Sequence, residues 1–357
     1  MKLNRWVKWW LLTGLFMLFI QVVVGGITRI TGSGLSITEW DIVTGTLPPM
    51  TDAKWESEFQ LYKETPQYRE INEGMKMGSI FQGGTFKFIY FWEWIHRFWA
   101  RIMGFVFLIP LCFFLIKKWV SKSLGKDLTV VFLLAVLAAS FGWIMVASGL
   151  IERPWVNAYK LAMHLSIAFS VYGYLLWTYL KADNKEILPM NTAGRLKLFR
   201  WGMGFGILLC IQIFLGGVMS GMKAGVFYPT WPDMNGVYIP QLVFDSSQWT
   251  VENFNQYDQN LFVPALFQLL HRTSAYVLFI VGVYIFYMIY RHYRNTVIYT
   301  STVAMIIVLV SQVLLGIITV VNCKTSIPLL WGVLHQAFAL FLLSAYLNFI
   351  FRLKQRT

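Results

Sequence analysis

The chain has 357 residues, 57% of them hydrophobic and only 13% charged, with a net charge of +13. Soluble domains are about 45–50% apolar and about 25% charged. These proportions, with a mean hydropathy of +0.56, therefore exclude an ordinary soluble protein and point to an integral membrane protein. The basic residues sit in short connectors between apolar runs, as the positive-inside rule describes, and not on a nucleic-acid-binding face.

A basic start (Lys2, Arg5, Lys8) leads into an apolar run at 7–27. No small-residue cleavage site follows, so the run reads as a first span and not as a removable signal peptide. A bilayer core takes about 20 apolar residues as a helix. Further runs of that kind lie at 91–116, 128–150, 160–180, 199–221, 261–290, 298–321 and 328–351, which makes eight spans. Basic connectors join the second run to the third (Lys117, Lys118, Lys122, Lys126), the fourth to the fifth (Lys181, Lys185, Arg195, Lys197, Arg200) and the sixth to the seventh (Arg291, Arg294). Together with the N-terminus and Arg352, Lys354 and Arg356 they gather 17 basic residues on one side, against three acids, Asp127, Asp183 and Glu186. That bias predicts a multi-pass protein of the cell (inner) membrane with both termini cytoplasmic.

Two long loops face the other way, 28–90 and 222–260. Within the first, Trp55, Phe59 and Tyr62 predict a short amphipathic surface helix between Lys54 and Met77. Cys112 and Cys210 fall inside apolar runs and Cys323 stands alone, so neither a disulfide nor a thiolate metal site is implied.

The sequence repeats itself. Gln21, Gly25 and Gly26 match Gln212, Gly216 and Gly217 at an offset of 191, which also pairs Gly34 with Gly225, Trp40 with Trp231, Gly45 with Gly236 and Pro49 with Pro240. Gln312 and Gly316 echo the first part of the motif. Each repeat holds an even number of spans, so the two share one orientation. The expected fold is all-α, with eight transmembrane helices in two tandem parallel four-helix bundles, residues 1–185 and 186–357.

Of the five histidines, His292 sits with Arg291 and Arg294 in a basic connector and reads as solvated. His96, His164, His271 and His335 lie near the outer ends of the four even-numbered runs, two per repeat. Paired imidazoles from facing helices suit axial ligation of a haem iron. Zinc sites want three or four protein ligands and fit less well. Arg97, Arg101 and Arg272 would stand where haem propionates emerge; snorkelling or lipid contact is the competing account. Aligning His96 with His271 sets Glu93 against Gln268. Glu93, His96 and Arg97 share one helical face. Glu93 is then either a proton-handling carboxyl that makes the first site reactive or an acid stabilised by its helix terminus and Arg97.

The stretches Gly25 to Ser36, Glu39-Trp40, Gly45 to Pro49, Trp92 to Arg97, Met145 to Leu150 and Tyr159 to His164 resemble the haem A synthase family, in the branch without paired loop cysteines. The resemblance covers nearly the whole chain. It implies a membrane oxidoreductase that converts the C8 methyl of haem O to a formyl group, giving haem A for terminal oxidases. It implies haem b on His271 and His335, with Arg272 beside it. It assigns the substrate haem to His96 and His164, with Arg97 and Arg101 nearby, and catalysis to Glu93. A haem O synthase (a farnesyltransferase) and a membrane electron acceptor are the implied partners in the bilayer, and homo-oligomerisation is left open. Ala100 and Ala138 depart from the family pattern, and neither is a proposed ligand. The rival readings are a di-haem b-type electron carrier to quinone and a duplicated transporter. The first leaves the Glu93/Gln268 difference unexplained, and the second needs no histidine quartet.

Overall fold

A computed structural model describes residues 3–39, 46–150, 153–183 and 192–354. Trp40 and Gly45 of the repeat, the expected boundary at 185/186, and Lys2, Lys185, Glu186 and Arg356 lie outside the described residues. Helices account for the described spans. They are α1 (Arg5–Ile30), α4 (Phe86–Ile116), α5 (Lys122–Gly149), α6 (Ala158–Ala182), α7 (Thr192–Gly221), α10 (Phe262–His292), α11 (Val297–Val321) and α12 (Leu329–Leu353). Each is long and apolar enough to cross a membrane. At about 1.5 Å per residue the shortest of them, 25 residues, already exceeds a hydrocarbon core of about 30 Å. Side-chain caps fix several starts: Asn4 accepts from the Trp6 amide, Ser121 from that of Leu124, and Asn157 from those of Tyr159 and Lys160.

Taken by sequence repeat, the first four spans and the last four, here called the first and second sets, pack in unlike ways. In the first, α4 lies on α1, α1 on α6 and α6 on α5, while direct packing of α4 on α5 is at most marginal. In the second, α7, α10, α11 and α12 close a full ring, each on the next. The sets meet through α1, α6, α7 and α12. Small residues make that meeting possible: a Cβ on Gly26 would lie 2.9 Å from Gln336 Oε1, and one on Gly217 would lie 2.9 Å from the Ala162 Cα. The Gln336 amide donates to the Val22 carbonyl at 2.8 Å across the same seam.

The core is concentrated toward the end of the bundle that carries the basic connectors. Val7, Leu11, Leu128, Phe205, Leu209, Ile285, Ile289, Leu340 and Phe349 are all buried there. Two of the acids on that side are paired with lysines: Lys8 with Asp183 at 2.6 Å and Lys181 with Asp127 at 2.7 Å. The long loops cover the other end. The expected surface helix is two helices, α2 (Asp52–Lys63) and α3 (Pro66–Glu70), because Thr65-Pro66 starts a new cap. Their rings do not spread over a lipid surface. Phe59 and Tyr62 pack on Phe86 and Tyr90 in a buried aromatic cluster at the start of α4. The second long loop contributes α8 (Ala224–Phe227) and α9 (Val251–Asn255), and Tyr257 from it packs on α6 and α7 residues.

Replacing Gly217 by Leu should lower stability by about 1–3 kcal/mol through overpacking against α6. A Cβ on Gly204 would meet nothing within 4 Å, so Gly204→Ala should be close to neutral. Thermal unfolding midpoints in detergent check both.

Candidate functional site

A cavity of about 1120 Å³ reaches from the long-loop end, at Gln67, Trp155 and Trp231, down between the helices to Trp10, Leu11 and Leu175, and helices of both repeats contribute to its wall. Pockets for single small ligands run about 300–1,000 Å³, so this one has room for something larger or for more than one group. His96, His164, His271 and His335 all border it, as do Glu93, Arg97, Arg101 and Arg272. His96 and His164 lie within electrostatic reach of each other, and so do His271 and His335.

Each ring rests on a glycine of the preceding span. A Cβ at Gly25 would stand 2.9 Å from His96 Cε1, at Gly142 3.0 Å from that of His164, and at Gly216 and Gly316 2.9 Å from those of His271 and His335. Before three of the four glycines, the residue one turn earlier also reaches the histidine. The His164 Nδ1–H donates to the Ala138 carbonyl at 2.9 Å, which leaves Nε2 with its lone pair available to a metal. Gln21 Nε2 lies 3.3 Å from His96 Nδ1, and Gln212 Nε2 lies 3.3 Å from His271 Nε2. The Nδ1 atoms of His271 and His335 are buried without a hydrogen-bond partner. Among the described residues no three His, Cys, Asp or Glu side chains converge. A bis-imidazole axial set is the chemistry that such a donor arrangement fits.

Glu93 and Gln268 hold equivalent places and do opposite work. Glu93 is 2% exposed. Its Oε2 accepts from the Ser36 amide and hydroxyl, both at 2.7 Å, and from the Ile37 amide at 2.9 Å. Its Oε1 takes the Arg97 guanidinium, which also donates to the Ile37 carbonyl at 3.3 Å. The carboxylate therefore ties the start of the first long loop to α4. Gln268 instead donates to the Tyr228 carbonyl at 2.8 Å. Arg272 adds bonds to the carbonyls of Tyr228, Thr230 and Asp233, and Gln268 Oε1 is left without a partner. One loop turns amides toward its helix, and the other turns carbonyls.

The structure thus brings all eight expected site residues to one cavity wall. It also shows that Arg97 and Arg272 are committed in part to holding loops. Two further cations border the same space that the sequence does not single out as haem contacts. Arg29 donates to the Ser220 carbonyl, which the Lys223 amide shares at 3.1 Å. Burial, and then the neighbouring Arg29 charge, hold the Lys223 ammonium below the usual lysine range. Neither has a carboxylate in an ion pair among the described residues. Arg29 lies inside the Gly25 to Ser36 stretch noted in the sequence, so its position is visible there. Lys223 carries no sequence signal, because its placement depends on a left-handed backbone turn after α7.

Comparison with protein families matches residues 8–347 to the family described as cytochrome oxidase assembly protein. Among curated proteins, one named heme A synthase from Flavobacterium johnsoniae is 38% identical, over 99% of this chain and 99% of its own length. Another of that name from Flavobacterium psychrophilum is 37% identical, over 96% of this chain and 97% of its own. A third, from Parvibaculum lavamentivorans, is 37% identical over 94% and 90%.

Truncating Glu93 to Ala leaves Arg97 buried without its carboxylate and frees the Ser36 and Ile37 amides. A loss of stability on the order of 3 kcal/mol is expected, with faster proteolysis between residues 33 and 39, measured by thermal unfolding and by mapping of cleavage sites.

Proposed function

This chain belongs to the cytochrome oxidase assembly protein family, and from that premise we propose that it performs the reaction for which its relatives are named, the making of haem A. It acts as a membrane oxidoreductase on haem O. The C8 methyl is oxidised twice, each time losing two electrons to a membrane acceptor and two protons while water supplies the oxygen, to an alcohol and then to a hydrated aldehyde that loses water to give the formyl group. One observation carries this reading: two glycine-seated histidine pairs share one cavity, and among the described residues only the first has a carboxylate beside it.

In this reading haem O docks with its iron between His96 and His164, and haem b belongs to His271 and His335. The residues suit haem b. Two imidazoles come from separate helices, each ring is fixed by a backbone seat, and Arg272 borders the same space as a cationic partner for propionates. When bound, that haem supplies one-electron transfer between the oxidised site and a membrane acceptor. The chain itself does the positioning. Gly25 and Gly142 set the imidazole planes, and Arg97 and Arg101 face the acidic edge of the substrate. Glu93, pinned by Ser36, Ile37 and Arg97, handles protons or stabilises positive charge developing at the methyl carbon from a fixed place on the wall. A haem O synthase supplies the substrate. The basic end faces the cytoplasm, and the histidines lie near the outer face of the cell membrane.

Expression together with a haem O synthase, followed by haem extraction and mass analysis, tests the reaction. Haem A or its hydroxylated precursor is expected; a well-expressed, haem-loaded sample holding neither would sink the assignment. His271→Ala should remove the b-type absorption of the purified protein, and an unchanged spectrum would take His271 out of the haem b site. Glu93→Gln should slow haem A formation by about a hundredfold if the carboxylate works on protons. A normal rate at normal protein yield assigns Glu93 to the loop anchor alone.

A further inference from the structure

We propose that the open edge between α4 and α5 seats the isoprenoid chain of the substrate haem, and that Phe107, Ala135 and Ala139 set the preference for a tailed over a tailless haem. The proposal rests on the haem O reading above.

The two sets differ most at this edge. In the second set α10 and α11 pack directly. Their closure depends on Gly282: a Cβ there would stand 2.5 Å from Leu309 Cδ2, and Leu309 is buried. Aligning His96 with His271 and Gly142 with Gly316 puts Phe107 at the place of Gly282 and Ala135 at that of Leu309. The bulk has moved from one helix to the other, and the close contact is not remade. Phe107 stacks on Phe132 with ring centroids 6.4 Å apart, wedging α4 from α5. Beyond that wedge small residues border the cavity: Gly104, Ala135, Ala139 and Gly142. Gly104 has open space where a side chain would go. The matching positions in the second set are Phe279, Leu309, Val313 and Gly316.

The slot is open sideways. Leu108, Phe132 and Val136 border the cavity and are also 43%, 39% and 48% exposed, on a face of the bundle that lies in lipid. It is wholly apolar, with no charged residue in 102–116 or 128–150. It is also continuous with the histidine pair, since Gly142 at its inner end is the seat of His164. A ligand held at His96 and His164 that carries a long, uncharged apolar substituent matches that shape: the ring lies in the cavity and the chain runs between the helices. A tailless haem gains nothing from the slot. A membrane acyl chain could fill it without reference to haem, and the test separates the two.

The purified full-length protein is titrated with haem O and with protohaem, which lacks the chain, and binding is followed by the Soret band. Ala135→Leu combined with Ala139→Val copies the second set. Haem O affinity should fall by about tenfold or more while protohaem affinity stays within about twofold, with the b-type spectrum of the His271/His335 pair retained. Unchanged haem O affinity, as expected of a slot that holds only lipid, overturns the proposal; so does an equal loss for both haems. Should the double variant not accumulate, the unaltered protein decides. A haem O analogue with a photoreactive group at the end of its chain should label residues 103–108 or 131–139, and labelling confined to other spans overturns the proposal. Unaltered protein that binds no haem O at all overturns the haem O reading itself.

Discussion

Four times in this chain an imidazole edge rests on a backbone that carries no side chain. The distances allow nothing larger than hydrogen at Gly25, Gly142, Gly216 and Gly316 without moving a ring. Two of these glycines have a glycine neighbour, and the reason is geometric. Successive helix residues point about 100° apart, so Gly25 faces His96 while Gly26 faces Gln336 of α12. Gly216 faces His271 while Gly217 faces Ala162 of α6. The inner helices of each set need both contacts. In α5 and α11 the single glycines Gly142 and Gly316 are followed by Trp143 and Ile317, and neither helix is among those that meet across the seam.

Around that shared frame the two sets have diverged in two ways. One is the polarity of the loop anchor, where a carboxylate gathers amides in the first set and an amide and a guanidinium gather carbonyls in the second. A buried carboxylate with a guanidinium and three further donors is fully satisfied, which lets it stand at an apolar wall at all. The other is the helix edge, closed around Gly282 and open at Phe107. Both differences mark off the first set, where we propose that the substrate binds. A resident cofactor is served by a closed ring of helices, and a ligand that must arrive and leave is served by an open one.

Much of this can be read from residues alone. Span positions follow from apolar length, and the histidine quartet and the diglycine repeat follow from spacing. The side-chain partners do not. Nothing in the spacing of Glu93 from Arg97 says that Ser36 and Ile37 supply the remaining donors, since those come from a loop whose path depends on Gln67 of α3 donating to the Gly32 carbonyl. The surface helix expected between Lys54 and Met77 has a different role from the one its pattern suggests. Its aromatic spacing is real, but Phe86 and Tyr90 of α4 offer rings to pack against, and tertiary burial takes the face that lipid would otherwise cover. The open edge is illegible for a different reason. Ala135 and Phe107 are each ordinary in a membrane helix, and their meaning appears only when both are set against Leu309 and Gly282.

The lysine–aspartate pair at the base of the bundle has a consequence for synthesis. Lys8 and Asp183 are 175 residues apart in the chain, so α1 is made and meets the membrane long before its acid partner exists. The Lys8 ammonium then has no Asp183 to neutralise it. Once α6 has followed and Asp183 closes on it, that charge becomes a local bond between the first and fourth spans. One side chain thus stands as a lone charge while the chain is short and becomes a clasp when it is long.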